Sequence, residues 1–141
     1  MNRITFPPDL IKFGKWKAFI GRYPPGSETD HRVIIAYEHD GILKCFYVTS
    51  KVNKAKMMTR DDPQSLVCLK QDDWDELTKP CCIQCNKDSM FEISESELME
   101  DYANEKVKTL GEIPDSIKKS IVSAICMSKT FSEKEKAMYT V

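Results

Sequence analysis

The stretch RVIIAYEHDGILKCFYVTS, residues 32–50, decides the fold. Two runs rich in β-branched and aromatic residues, 32–38 and 42–49, flank Asp40-Gly41. An Asp-Gly pair accepts the positive backbone angles of a two-residue hairpin turn, so the runs predict two tightly joined antiparallel strands. Within the first, Val33-Ile34-Ile35-Ala36-Tyr37 is the longest apolar run of the chain. It falls far short of the roughly 18 residues that span a bilayer.

Toward the N-terminus, FGKWKAFIGR (13–22) reads as a further strand, with Phe13, Trp16, Ala18 and Ile20 as its apolar members. Between it and the hairpin, YPPGSETDH (23–31) carries two prolines, a glycine and several polar residues, the composition of a loop. Toward the C-terminus, residues 51–64 are polar and basic and read as a loop ending at the breaker Asp61-Asp62-Pro63. A short strand follows at Ser65–Leu69, and DDWDELT (72–78) has the makings of one helical turn.

CCIQC (81–85) is compatible with a strand, and alternation puts Cys81, Ile83 and Cys85 on one face. Ser94-Glu95-Ser96-Glu97 fits a capping box opening a short helix. KVKTLGEI (106–113) returns to extended structure around Gly111, and Pro114-Asp115 opens another helix. In that helix Ile117, Ile121, Ala124 and Ile125 recur at helical spacing as one apolar stripe. Residues 130–141 read as a loosely held tail or a final short helix. The outline is mainly β: a small, mostly antiparallel domain closed by one amphipathic C-terminal helix.

Composition agrees. The 141 residues are 41% hydrophobic and 30% charged, which suits one soluble globular domain with its own core. The first eight residues hold no continuous apolar stretch, so no signal peptide is read and a cytoplasmic address, away from any membrane, is expected. A formal net charge of −1 gives no global pull toward nucleic acid. An RNA or DNA site would have to be a local patch. Lys51, Lys54, Lys56 and Arg60 supply one, in ten residues that contain no acid. The acidic run 72–76 would repel RNA and is therefore placed on another side; Trp74 within it is read as a partial core residue rather than a base-stacking platform.

Six cysteines raise the question of a metal or redox site. Cys82 and Cys85 make a CxxC, but a structural zinc site needs a second ligand pair, and Cys45, Cys68 and Cys126 stand alone in the sequence. A thioredoxin-type dithiol would stand at the head of a helix, whereas Asn86-Lys87-Asp88-Ser89 after Cys85 reads as a turn. In a reducing compartment the cluster is read as the packing of a buried strand, with no metal and no cofactor.

Arg32 is the other place to look. An arginine at a strand mouth is ordinarily a solvated loop charge, yet its fixed fork of donors also suits phosphate. The next strand ends in Thr49-Ser50-Lys51, which brings two hydroxyls and a cation to a sheet end, with His31 beside Arg32. A flexible basic loop next to an arginine-hydroxyl pair can track a single-stranded backbone.

These residues carry a resemblance. HRVIIAYEHDGILKCFYVTSK, LVCLKQDDWDELTKPCCIQC and ISESELMEDYANEKVKTLGEIPDSIKKSIVSAI together resemble the MazF/PemK/Kid family of toxin endoribonucleases over about residues 13–128. The matching parts are Arg32, Thr49-Ser50, Leu110-Gly111, Pro114 and the helix from Asp115. The resemblance implies an SH3-like barrel in a single domain, with an N-terminal extension and a C-terminal tail outside the core. It implies metal-independent cleavage of single-stranded RNA, usually mRNA, by the substrate's own 2′-hydroxyl. It also implies a homodimer and a cognate antitoxin.

By the same resemblance Arg32 would stabilise the phosphorane and Thr49, helped by Ser50, would orient the phosphate. His31, Lys51, Lys54, Lys56, Arg60, Gln84 and Asn86 would contact RNA. The chain departs from the family in the acids Glu28 and Asp30 before the arginine, and in Gln84 and Asn86, where some members place an acid-base pair. An alternative reading is therefore an SH3-like module without catalysis that binds RNA or a protein; a zinc-bound adaptor is a third.

Overall fold

The computed structural model describes residues 13–141. The N-terminal extension lies outside the described residues. In chain order the elements are β1 (Lys17–Gly21), β2 (His31–His39), β3 (Ile42–Thr49), α1 (Val52–Met58), β4 (Leu66–Leu69), β5 (Cys81–Gln84), β6 (Phe91–Ser94), α2 (Glu95–Ala103), β7 (Lys108–Glu112), α3 (Asp115–Met127) and α4 (Glu133–Tyr139). All strand pairs are antiparallel, in the order β4-β5-β3-β2-β1-β7. β6 joins this path at the side, pairing with the first half of β3. Among the described residues the pairings run from β4 to β7 without closing, so the antiparallel β domain is present but a fully paired barrel is not.

The hairpin forms as its sequence demands. His39 pairs with Ile42 across a two-residue turn in which Asp40 and Gly41 have φ of 50° and 77°. Those angles are the left-handed ones that Asp and Gly tolerate. β2 carries an extra residue at Ala36, where the register to β3 shifts between Ile35 and Tyr37. A second irregularity lies between β1 and β7, where Ala18 faces Gly111 and Phe19 faces Thr109, leaving Leu110 unopposed. Gly111, at φ 75°, takes the left-handed position such a bulge requires.

Burial explains why the hairpin strands are continuously apolar. Val33, Ile34, Ile35 and Ala36 are all 0% exposed because both faces of the sheet are covered. On one face Ile34, Phe46, Val48 and Ile83 pack with the stripe Ile117, Ile121, Ala124 and Ile125 of α3. On the other, Val33, Ile35, Leu43 and Cys45 pack with Phe19, Ile93 and Leu98 of α2. Both helices begin close to where the sequence places them. The Ser94 hydroxyl accepts from the Glu97 N–H, and Pro114 stands at the cap of α3.

Two expectations are corrected, and one open reading is resolved. Residues 52–58 form a helix, not a flexible basic loop. Lys, Ala and Met all have high helix propensity, but Ala55 is the one buried residue of α1, so no apolar stripe announces it. Phe13 and Trp16 are buried ahead of β1, in a turn where Trp16 has φ 70°, and Phe19 rather than Ile20 is the fully buried member of the strand. Of the two readings of the last residues, the short helix is the one that forms: Ser132 and Glu135 close a capping box, and Phe131 and Tyr139 enter the core.

The breaker Asp61-Asp62-Pro63 has a further role. The buried Asp62 carboxylate accepts from Ser128 Oγ at 2.6 Å and from the Lys129 N–H at 3.0 Å, which fixes the end of α3 to the segment after α1. No helix among the described residues is long and apolar enough to cross a membrane.

Ile121 is fully enclosed between α3 and the sheet, and truncating it leaves a cavity there. Ile121→Ala should lower unfolding free energy by about 2–4 kcal/mol. Urea unfolding of both proteins tests this; a loss below 1 kcal/mol, taken as about the size of a surface substitution, would mean that α3 does not seal the core.

Candidate functional site

Antiparallel pairing sets the site. Val33 faces Tyr47, so the start of β2 lies beside the end of β3. Thr49 faces Cys82, which brings the start of β5 to the same place. Three strand ends and the first turn of α1 therefore enclose one cavity of about 530 Å³. Its lining includes Arg32, Lys51, Lys54 and Lys79 against the two acids Glu28 and Asp30. The cavity is net cationic although the chain is not.

Arg32 is the centre of its charge. Its Nε is buried and has no hydrogen-bond partner. The nearest carboxylate is Glu76, whose Oε1 lies 3.7 Å from that nitrogen, an ion pair too long for a hydrogen bond. The acidic run is expected on another side; none of residues 72–76 lines the cavity, but one member, Glu76, reaches the arginine. Trp74 and Leu77 cause this. Both are buried in the core, and they pin the segment so that Glu76 falls at the cavity's edge. Trp74 is only 6% exposed and offers no face to a base.

Thr49 is nearly buried, and its Oγ1 accepts from the Lys51 N–H at 3.1 Å, which leaves the hydroxyl hydrogen free to donate. Ser50 beside it is exposed. His31 is held from both sides: Nδ1 lies 2.9 Å from the Tyr23 carbonyl, and the ring meets Tyr47 edge-on at 5.1 Å. A carbonyl only accepts, so in the neutral ring Nδ1 carries the hydrogen and Nε2 keeps a lone pair.

Of the residues singled out in the sequence, the fold gathers Arg32, Thr49, Ser50, His31, Lys51, Lys54 and Gln84 around this cavity. It does not bring in Lys56, Arg60 or Asn86. Lys56 and Arg60 are exposed on and just beyond α1, away from the lining. Asn86 is buried and caps the short turn Lys87–Ser89, its Oδ1 accepting from the Ser89 N–H at 2.8 Å. Gln84 lines the cavity with its Oε1 accepting from Ser89 Oγ at 3.3 Å.

Sequence reasoning missed Lys79, Tyr47 and Glu76. Lys79 was readable in principle, since it precedes a strand that had to pair somewhere, but the partner strand was not fixed by the sequence.

The cysteines pack as expected of a buried strand: Cys81, Cys82 and Cys85 are 8%, 0% and 0% exposed. Burial pushes the Cys81 thiol pKa up, while Arg32 and Lys79 pull it back, which marks the reach of their charge. Among the described residues no group of three or more His, Cys, Asp or Glu is placed to hold a metal ion. No protein-family model matches the chain, and no curated protein matches it.

Such a cavity can hold an oxyanion, with Glu76 as the internal competitor for Arg32. Both side chains of the pair are about one-third exposed, 34% and 35%, so the competition is modest. Glu76→Gln should tighten binding of inorganic phosphate about two- to fivefold at low salt, the worth of an exposed ion pair. Calorimetric titration of the two proteins reads this, and equal affinities would remove Glu76 from the anion site.

Proposed function

We propose that the cavity binds the backbone of single-stranded RNA and that the chain is an endoribonuclease toxin of the kind it resembles. The observation that carries this reading is the meeting of Arg32 with the Thr49 and Ser50 hydroxyls in one cationic cavity. Arg32 lies on β2, Thr49 ends β3 and Ser50 follows it, and the β2–β3 pairing brings them together. An SH3-like barrel, a homodimer and a cognate antitoxin belong to the same proposal and rest on the resemblance.

The reaction needs a base for the 2′-hydroxyl, charge on the phosphate and a fixed geometry. His31 is the group in the cavity whose chemistry suits the first: imidazole is the side chain most often used for proton transfer, and its Nε2 keeps the lone pair. On taking the proton, it frees the 2′ oxygen to attack the adjacent phosphorus. Arg32, whose Nε makes no hydrogen bond within the protein, faces the charge that builds on the phosphorane oxygens. Thr49 and Ser50 donate to the phosphate in its reactive orientation. The bond from phosphorus to the 5′ oxygen breaks, that oxygen takes a proton from solvent water, and a 2′,3′-cyclic phosphate is left.

The Glu76 contact, with Glu28 and Asp30 in the lining, favours a second reading: a module that binds RNA or a protein and does not cleave.

Incubation with long single-stranded RNA in EDTA separates the two. The nuclease leaves discrete fragments with cyclic phosphate ends. Arg32→Ala should reduce the rate about 100- to 1,000-fold, as loss of a charge-stabilising donor does. His31→Ala should reduce it at least about 100-fold while RNA affinity stays within about threefold. Intact RNA that is nevertheless bound by the folded protein would replace the nuclease with the binding module.

A further inference from the structure

We propose that Cys68 and Cys82 form a dithiol that a small disulfide such as oxidised glutathione converts to an intramolecular cystine between β4 and β5. The site is independent of the nuclease reading. The two residues stand directly opposite each other in the antiparallel register, Leu66 to Gln84, Val67 to Ile83, Cys68 to Cys82. Their sulfurs are 3.6 Å apart. Opposed residues of an antiparallel pair have Cα separations of about 4.5–5.5 Å, inside the range a disulfide accepts. Bond formation needs the sulfurs to close by about 1.6 Å, which side-chain rotation supplies without strand movement.

The two thiols differ in access, and that sets the order of events. Cys68 lies on the edge strand and is exposed. Cys82 is 0% exposed, on a strand against which α1 packs. Its thiol pKa is pushed up to about 12 by burial and by the contact with Cys68. An external disulfide therefore meets Cys68 first. The Cys68 thiolate attacks one sulfur of the oxidised glutathione, forming a mixed disulfide and releasing one glutathione thiolate. Cys82 then attacks the Cys68 sulfur, the internal bond forms and the second glutathione leaves. The two protein thiol protons go to the two departing thiolates, so one disulfide is consumed for each one made. An edge-strand bond of this kind is of the exposed class that thiols reopen readily.

The placement gives the pair a use. Cys82 faces Thr49 on its other side, so the bond would tie the free edge of the sheet to the strand that pairs with the cavity wall. Cys81, its sequence neighbour, turns the other way into the core, as do Ile83 and Cys85.

The full chain is held in oxidised glutathione, digested with trypsin without reduction and read by mass spectrometry. The expected result is a link between peptide 61–70, which holds Cys68, and peptide 71–87, with two of the six thiols lost to alkylation. Excess reduced glutathione should restore both. In Cys82→Ala the link should vanish and Cys68 should carry a stable glutathionyl group. Because Cys82 is buried, Cys68→Ser provides the control that keeps the fold: there Cys82 should stay unmodified. A wild-type protein that accumulates the Cys68 adduct, that shows no oxidation, or whose link survives Cys82→Ala would overturn the proposal.

Discussion

Burial of the central hairpin on both faces is the constraint on which the rest of the molecule depends. An antiparallel sheet commonly leaves one face to water, and its strands then alternate. Here β2 is apolar at four successive positions, and each face needs its own cover. α3 supplies one and α2 the other, and the buried tail residues Phe131 and Tyr139 extend the first. With the middle of the hairpin committed to packing, its polar chemistry is confined to the ends. The turn takes one end, and His31, Arg32, Thr49 and Ser50 collect at the other. The cavity is in this sense a by-product of a strand pair that has no other place for its charges.

That confinement also accounts for the peculiar state of Arg32. Its flanking residues are held by the core, so the guanidinium is drawn partly inside and its Nε loses contact with water. Glu76 reaches toward it without completing a hydrogen bond. A cation held this way is prepared for an oxyanion and partly shielded from it, which is the balance a reversible site needs. A fully paired arginine would resist displacement, and a fully hydrated one would gain less from a ligand.

Much of this was legible in the residues, where a local rule had one answer. Asp40-Gly41 fixed the hairpin because few other pairs tolerate both turn angles. The four-residue stripe in α3 could face only a core. By contrast, α1 carries no stripe, so its propensity alone could not compete with the impression left by its charges. Asn86 was assigned to RNA by the resemblance, although the turn Asn86–Ser89 was readable; its side chain caps that turn by accepting from the Ser89 N–H. Glu76 was misplaced because its position is dictated by the burial of Trp74 and Leu77, a tertiary event. The same limit hid the neighbours Cys68 and Cys82, isolated in sequence and adjacent only across a ladder.

One detail of the sheet gives the molecule a grain. Along a single edge, β3 pairs with β6 through Ile42–Cys45 and with β5 through Val48–Thr49. Between them Phe46 and Tyr47 belong to neither ladder. The seam at these two residues separates a lobe built on α2 and β6 from a lobe built on α1, β4 and β5, and β3 is the strand they share. Sub-global opening follows such boundaries, because units with few shared hydrogen bonds part at lower cost than the whole. The cavity reaches the seam at Tyr47, and no residue of β6 or α2 lines it. A molecule held there would steady its own lobe and leave the other to breathe, so occupancy would be written in the slow exchange of backbone amides on one half of the protein alone.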